Sequence, residues 1–178
     1  KVKGVSVVKV ADIRLEQGKT LEHYLRVSAT IKYDAPELTD EVLWYEFPQE
    51  FESVLSGTGD PWLIALLPLA VTINESIVID APVDPFLLEN AYELMDAWRF
   101  WFPELPRVNL DVPVGEYQVQ LASRNRNGQF YSGGVDSFYT ALRHANDSTR
   151  KSDDLIFCWG FDVPLADASA MSRLQKSL

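Results

Sequence analysis

The chain has 178 residues and a formal net charge of −10, with 47% hydrophobic and 12% aromatic residues. This length and apolar content suffice for a folded core and exclude a disordered chain. Because the sequence has no run of Lys or Arg to face phosphates, we expect no nucleic-acid partner.

The beginning of the chain predicts three strands that pair as an antiparallel meander. Residues 5–15 are rich in Val and Ile, and residues 24–33 alternate between apolar and polar side chains. Asp34-Ala35-Pro36 then breaks the second strand, and residues 42–47 form the third. We expect these strands to open an α+β front domain.

Two Asp-Pro pairs predict the starts of two helices. Asp60 is the expected N-cap of the first helix, with Pro61 at its first position. That helix should falter near Pro68, because proline lacks the backbone N–H that a helix interior needs. Asp84-Pro85 repeats the start signal, and the second helix should end before Pro103.

Short strands are predicted at residues 76–80 and 107–112, and the polar, turn-prone residues 124–128 follow them. We therefore expect a front domain over residues 1–120 and a second domain over residues 121–178. The chain begins with Lys and ends within a predicted helix, so we expect the second domain to be incomplete in it.

The second domain predicts the order strand, loop, helix, strand, helix, which begins a parallel α/β sheet. Its strands are residues 129–131 and 155–159, and its helices are residues 138–145 and a last one from about Asp167. Cys158 is the only cysteine, which excludes an internal disulfide. We expect it to be a buried strand residue rather than a reactive thiol.

The loop between the first of these strands and its helix has the composition of a phosphate-binding turn. It reads Ser132-Gly133-Gly134-Val135-Asp136-Ser137. The glycines let the backbone approach a ligand, and a helix N-terminus favours negative charge. The serines add hydroxyl donors, while Asp136 suits such a site if Mg²⁺ lies between its carboxylate and a phosphate.

Other nucleotide and nucleophile motifs do not fit the loop. It has no Lys for a Walker loop, no Gly-x-Gly-x-x-Gly pattern and no serine flanked as in a nucleophile elbow. It resembles, at all six positions, the Ser-Gly-Gly-x-Asp-Ser signature of the PP-loop superfamily, the N-type ATP pyrophosphatases. This superfamily includes asparagine synthetase and the 7-cyano-7-deazaguanine synthases. Residues 159–164 are similar to the end of the second strand in one bacterial branch of it.

The resemblance implies an adenine nucleotide alpha hydrolase-like fold and an ATP-dependent ligase. Members cleave ATP to AMP and pyrophosphate and adenylylate a carboxylate, amide or carbonyl. An amine, ammonia or sulfur nucleophile then displaces AMP, and for this chain an amine or ammonia is expected. Carried over to this chain, the pyrophosphate-binding residues are Ser132, Gly133, Gly134 and Ser137, with Val135 contributing its backbone N–H. Asp136 is the implied metal ligand, and Asp136 and Ser137 are the implied catalytic residues. The implied cofactors are ATP and Mg²⁺, and this chain alone is expected to be inactive.

Asp162 follows the second predicted strand of this domain, where α/β folds bind ligands, so it serves either a nucleotide or substrate contact or a turn. The front domain has no cysteine for a glutaminase and is expected to recognise a small-molecule substrate or to form a homo-oligomer. A catalytically inactive nucleotide-binding or protein-interaction module is the alternative.

Three further expectations concern the rest of the chain. Residues 56–60 should be a plain loop rather than an anion site, and the aromatic residues 98–102 should be core or an inter-domain contact. The most apolar run, residues 62–71, is too short for a membrane span. We therefore expect no membrane partner and a cytoplasmic location.

Overall fold

The computed structural model describes residues 6–20, 22–115, 126–147, 151–161 and 163–177. The chain divides into two units, Lys1–Gln120 and Leu121–Leu178. Both units contain strands and helices, so the fold is mixed α/β. Across the described residues, no helix combines the length and the apolar character needed to cross a membrane.

Unit 1 contains a five-stranded mixed sheet. Its strands are β1 (Val7–Gln17), β2 (Tyr24–Tyr33), β3 (Glu41–Pro48), β4 (Ser76–Ile79) and β5 (Leu110–Asp111), in the spatial order β3-β2-β1-β4-β5. The first three strands pair in antiparallel fashion, which confirms the predicted meander. Strands β1, β4 and β5 are parallel, and β5 is shorter than the predicted 107–112 strand.

Two helices complete the core of unit 1: α1 (Asp60–Ile73) and α2 (Pro85–Trp101). Trp62 and Leu63 of α1 are fully buried in one apolar cluster with Val8 of β1 and Ile77 of β4. Met95 of α2 is also fully buried in this cluster. A 3-10 helix, Gln49–Val54, connects β3 towards α1 and buries none of its residues.

The predicted N-cap is confirmed for α2 and wrong for α1. The Asp84 carboxylate accepts the backbone N–H groups of Phe86 and Leu87 at 2.9 and 3.0 Å, as an N-cap residue does. Asp60, by contrast, is already the first residue of α1, and Gly59 precedes it without a side-chain cap. The Asp60 carboxylate instead accepts the backbone N–H of Asp84 at 2.9 Å.

Helix α1 continues through Pro68 to Ile73, so the prediction that it falters there is wrong. Pro68 cannot donate to the carbonyl of Ile64, but both residues lie on the exposed side of the helix. Water can solvate that carbonyl, while Leu66, Leu67 and Ala70 are packed in the core. Burial of these apolar residues therefore outweighs the lost hydrogen bond.

Of the two roles expected for the aromatic residues at the end of α2, a core role is wrong for all but Trp98, and an inter-domain contact stays a prediction. Phe100 and Trp101 are 79% and 74% exposed, and their rings pack edge to face on each other. Trp98 alone of the group packs against the core cluster. The helical spacing correctly placed Trp98, Phe100 and Trp101 in α2, which ends at Trp101.

A charged cluster joins β2 to β3. The Arg26 guanidinium contacts Oε1 of Glu46 through Nη2 at 2.6 Å and Nε at 2.8 Å, and both side chains are nearly buried. The same carboxylate oxygen accepts the backbone N–H groups of Lys19 and Thr20 at 2.8 and 3.2 Å. Arg26 also lies over the ring of Trp44, 4.1 Å from its centre.

Unit 2 has two parallel strands, β6 (Gly128–Phe130) and β7 (Asp154–Ile156), and two helices, α3 (Val135–Arg143) and α4 (Ala168–Ser177). The predicted order of elements is confirmed, but α3 begins three residues earlier than predicted. Strand β7 ends at Ile156, so Cys158 lies beyond it and is half-buried rather than a buried strand residue.

Candidate functional site

The loop of residues 132–137 lies at the carboxyl end of β6 and runs into the first turn of α3. Strand β7 is parallel to β6, with Phe130 opposite Ile156 at the same end of the pair. Ligands of open parallel sheets bind at the carboxyl ends of the strands. The structure therefore places the predicted phosphate-binding residues at the edge where a ligand is expected.

The backbone of the loop is open to a ligand. Gly133 has a φ of +78°, and a Cβ atom built on it would meet nothing within 4 Å. Gly134 is the N-cap of α3, and no side chain caps this helix. The backbone N–H groups of Val135, Asp136 and Ser137 are the first of the helix and have no acceptor in the preceding turn. They form a cluster of donors suited to phosphate oxygens.

The two serines of the loop play different roles in this structure. Ser132 Oγ accepts the backbone N–H of Gly134 at 3.3 Å, so its own hydrogen is not used in that contact. Ser137 Oγ instead donates to the Gly134 carbonyl at 2.8 Å. Ser132 can therefore donate to a phosphate as it stands, whereas Ser137 offers its backbone N–H and would need to turn its hydroxyl.

A glutamine that the sequence did not single out holds the loop in place. Gln129 of β6 donates through Nε2 to the Ser137 carbonyl at 2.9 Å and accepts the Ser152 hydroxyl at 2.7 Å. The first turn of α3 is thereby linked to β6 and to the segment before β7. Sequence reasoning could have noticed Gln129 as a polar side chain at the centre of the short strand β6, between Gly128 and Phe130.

Asp136 is exposed in the first turn of α3. The described part of the chain has no group of three His, Cys, Asp or Glu side chains that could hold a metal ion. Asp136 can thus supply one ligand, and Mg²⁺ is commonly bound by one or two carboxylates together with phosphate oxygens and water. A single exposed carboxylate beside a cluster of N–H donors fits this mode of binding.

A small cavity of about 180 Å³ adjoins the loop. It is lined by the last residues of β6 and β7 and by residues that follow them: Phe130, Tyr131, Ser132, Ile156, Phe157, Cys158 and Phe161. Tyr131 is buried and packs edge to face on Phe138 of α3, with 5.2 Å between ring centres. The cavity therefore has an apolar, aromatic wall next to the N-terminus of α3.

Asp162, the remaining predicted site residue, lies outside the described residues. Its neighbours form a turn: the N–H of Gly160, which has a φ of +110°, donates to the Val163 carbonyl at 2.9 Å. Trp159 Nε1 also donates to the Pro164 carbonyl at 3.1 Å. Phe161 of this segment is one of the residues that line the cavity.

Arg126, two residues before β6, is paired with a carboxylate at the end of the strand pair opposite the loop. Arg126 binds both carboxylate oxygens of Asp154 at 2.6 and 2.8 Å, at the amino ends of β6 and β7. This hydrogen bonding lowers the pKa of Asp154 and raises that of Arg126. The loop itself contains no basic residue, so backbone N–H groups and a bound cation would have to balance the charge of a phosphate.

Comparisons of the chain with protein-family models, with curated proteins and with solved structures found no match. The assignment of the site therefore depends on the residues of the loop and on their geometry. The coarse description of the fold as mixed α/β depends on the structure alone.

Proposed function

We propose that the loop of residues 132–137 binds ATP together with Mg²⁺. In this proposal the protein is a PP-loop ligase that cleaves ATP to AMP and pyrophosphate. It adenylylates a small-molecule carboxylate, amide or carbonyl, which an amine or ammonia then attacks. One observation carries the proposal: the six signature residues run from the carboxyl end of a parallel strand into the first turn of a helix without a side-chain cap, with Gly133 open at φ +78°.

The chain's own residues would act by position and charge. The N–H groups of the first turn of α3 and the Ser132 hydroxyl would hold the pyrophosphate portion of ATP as the substrate oxygen attacks the α-phosphorus. Asp136 would hold Mg²⁺, which when bound supplies positive charge against the departing pyrophosphate. No covalent intermediate with the protein is needed, so catalysis is orientation plus electrostatic stabilisation.

We assign the base of the nucleotide to the cavity beside the loop. Phe130, Ile156 and Phe161 give it the apolar and aromatic lining that a flat heterocycle prefers. Its position after the carboxyl ends of β6 and β7 is consistent with a nucleotide whose phosphates lie at the N-terminus of α3. The substrate that accepts AMP is defined only by its reactive group, which is a carboxylate, an amide or a carbonyl.

Phosphorus NMR of ATP and Mg²⁺ tests binding with the purified chain, and it tests product identity with a longer protein that contains this chain. A pool of carboxylate and amine metabolites is added as acceptors. We expect broadened ATP resonances and, on turnover, AMP with pyrophosphate. Asp136→Asn should lower turnover by about 100-fold, since one source of charge stabilisation is lost. Glu93→Gln, which removes an exposed carboxylate of α2, is the matched control.

Each other product pattern has a definite meaning. Release of ADP and phosphate would overturn the proposed α–β cleavage. Because the chain alone is expected to be inactive, it is binding without cleavage by a longer protein that contains it that would favour the catalytically inactive nucleotide-binding module. Absence of ATP binding would overturn the proposal as a whole.

The exposed aromatic residues of α2 favour a second candidate, a protein-interaction module. Phe100, Trp101 and Phe102 are 79%, 74% and 55% exposed, which is unusual for a cluster of large apolar side chains. Gly134→Trp should abolish ATP binding at the loop, since a side chain there would crowd Ser132 Oγ. If a partner protein is found, retention of its binding by this variant would favour the interaction module.

A further inference from the structure

Unit 1 contains a larger cleft that the proposed nucleotide site does not use. It has a volume of about 440 Å³ and lies between β2, β3, the 3-10 helix and the start of α1. Val27, Phe47, Leu55, Pro61 and Ile64 contribute most of its apolar wall. A cleft of this volume falls in the range of about 300–1,000 Å³ typical of small-molecule sites.

The cleft is lined without charge. Among the described residues that line it, none has a charged side chain, and the polar ones carry hydroxyl groups: Tyr45, Ser56 and Thr58. Burial raises the pKa of the Tyr45 hydroxyl, which favours its neutral form. A charged ligand would lose its hydration here without gaining an ion pair, so the walls select against ions.

Where Ser56 and Thr58 line the cleft, one hydroxyl hydrogen is available to a ligand. Thr58 is only 8% exposed, and its Oγ1 accepts the Ser56 hydroxyl at 3.4 Å. The hydrogen of the Thr58 hydroxyl has no acceptor in the described contacts. An acceptor atom on a ligand would satisfy this nearly buried donor, and satisfying such a group favours binding.

The polar end is held in place before any ligand arrives. The Gly59 N–H donates to the Pro82 carbonyl at 2.8 Å, and a Cβ on Gly59 would lie 2.7 Å from Cγ2 of Val83. The segment after Thr58 is thus packed directly on the core. On the other wall, the Tyr45 ring lies 5.4 Å from that of the fully buried Trp62. Walls fixed in this way reduce the entropy lost on binding.

We propose that this cleft binds a compact, uncharged, largely apolar small molecule that presents one hydrogen-bond acceptor to the Thr58 hydroxyl. The volume, the uncharged lining and the single group of fixed hydroxyls carry the inference. It concerns unit 1 alone and does not depend on the proposed chemistry of the loop.

Three related probes test the chemistry of the cleft. 2-Acetonaphthone has a neutral acceptor, 2-ethylnaphthalene lacks it and 2-naphthoate is an anion. Each is titrated into the full chain and followed by ¹H–¹⁵N correlation NMR. We expect saturable shifts at the amides of Val27, Thr58 and Ala65. The ketone should bind about 3- to 10-fold more tightly than the hydrocarbon, and the anion most weakly.

Two variants with matched controls locate the site. Ala65→Trp should fill the cleft and abolish ketone binding, because Ala65 lines it, whereas Ala97→Trp on the exposed side of α2 should not. Thr58→Val should remove the preference for the ketone over the hydrocarbon. Thr72→Val, at an exposed threonine of α1 that does not line the cleft, should preserve it. The NMR spectrum of each variant reports whether it is folded.

The inference is overturned by any of three results. One is the absence of saturable binding by all three probes, even if a hydrophobic peptide binds. Another is ketone affinity that Ala65→Trp leaves unchanged in a folded chain. The third is a set of shifts confined to the separate groove between α1 and α2, around Leu67 and Leu94.

Discussion

The first residue of α1 holds the N-cap of α2: the Asp60 carboxylate accepts the backbone N–H of Asp84 at 2.9 Å. Asp84 in turn caps its own helix through Phe86 and Leu87. The starts of two helices that are 24 residues apart in sequence are thereby joined through consecutive hydrogen bonds. Unit 1 gains a local network that neither Asp-Pro pair would provide alone.

This network predicts coupled losses of stability. Asp84→Ala should lower the free energy of unfolding by about 1 kcal/mol, the usual value of an N-cap, and Asp60→Ala by about as much. The double variant should lose less than the sum, because both act on one network. Urea unfolding followed by tryptophan fluorescence measures this, with Glu89→Ala as an exposed control. Strictly additive losses would contradict the coupling.

Pro68 predicts a stabilising substitution. Pro68→Ala restores a backbone donor for the Ile64 carbonyl in the middle of α1 and should raise the free energy of unfolding by about 1–3 kcal/mol. Pro61→Ala is the matched control, since the first turn of a helix has no such bond to restore. Thermal unfolding of both variants compares them directly. An equal effect at the two positions would show that α1 gains nothing from the restored bond.

The Arg26–Glu46 cluster predicts acid sensitivity in unit 1. Burial of Glu46 opposes its ionisation, but the N–H groups of Lys19 and Thr20 and the Arg26 guanidinium outweigh it. Together they lower the pKa of Glu46 from 4.5 to about 2. A lowered carboxyl pKa stabilises the folded state above the unfolded value. This contribution is complete above pH 4.5 and is lost as the pH falls towards 2.

Glu46→Gln should therefore flatten the dependence of the urea midpoint on pH between 4.5 and 2, beside lowering the midpoint at neutral pH. Glu50→Gln, at an exposed residue of the 3-10 helix, should leave the slope unchanged. Equal slopes for Glu46→Gln and the unmodified chain would rule out Glu46 as the titrating group.

Gly133 and Gly57 predict a clean contrast in nucleotide binding. A methyl group would meet nothing within 4 Å at either glycine, but only Gly133 has a positive φ, of +78°. In Gly133→Ala a side chain occupies the left-handed region at a cost of about 1–2 kcal/mol. If ATP binds only to the loop in this conformation, ATP affinity should fall about 5- to 30-fold. Gly57→Ala should leave it unchanged. Calorimetric titration with ATP and Mg²⁺ distinguishes the two, and equal affinities would remove Gly133 from the site.

Local patterns predicted much of this fold, and the two misses in α1 share one cause. Alternation placed β2 at residues 24–33, and the Asp84-Pro85 pair placed the start of α2. Asp60 was misassigned because its partner, the N–H of Asp84, is supplied by tertiary structure. The prediction that α1 falters near Pro68 was wrong for the same reason, since packing of the neighbouring leucines stabilises the helix.

The two candidate sites differ in how far sequence reasoning could reach them. The loop of residues 132–137 is contiguous, so its residue types predicted both its turn and its place before a helix. The cleft of unit 1 combines Val27 of β2, Tyr45 of β3 and Thr58 of the loop before α1. Their meeting depends on which strands pair and on where α1 packs, and no local pattern encodes that.

The Glu46 carboxylate has a consequence for how β3 finds its place during folding. As the outermost strand of the sheet, β3 could join β2 one residue out of step and still form most backbone bonds. Such an arrangement would turn Tyr45 and Phe47 to the opposite face and move Glu46 away from Arg26, leaving a nearly buried guanidinium uncompensated. The Arg26–Glu46 pair thus favours the native register of β3 over a register shifted by one residue.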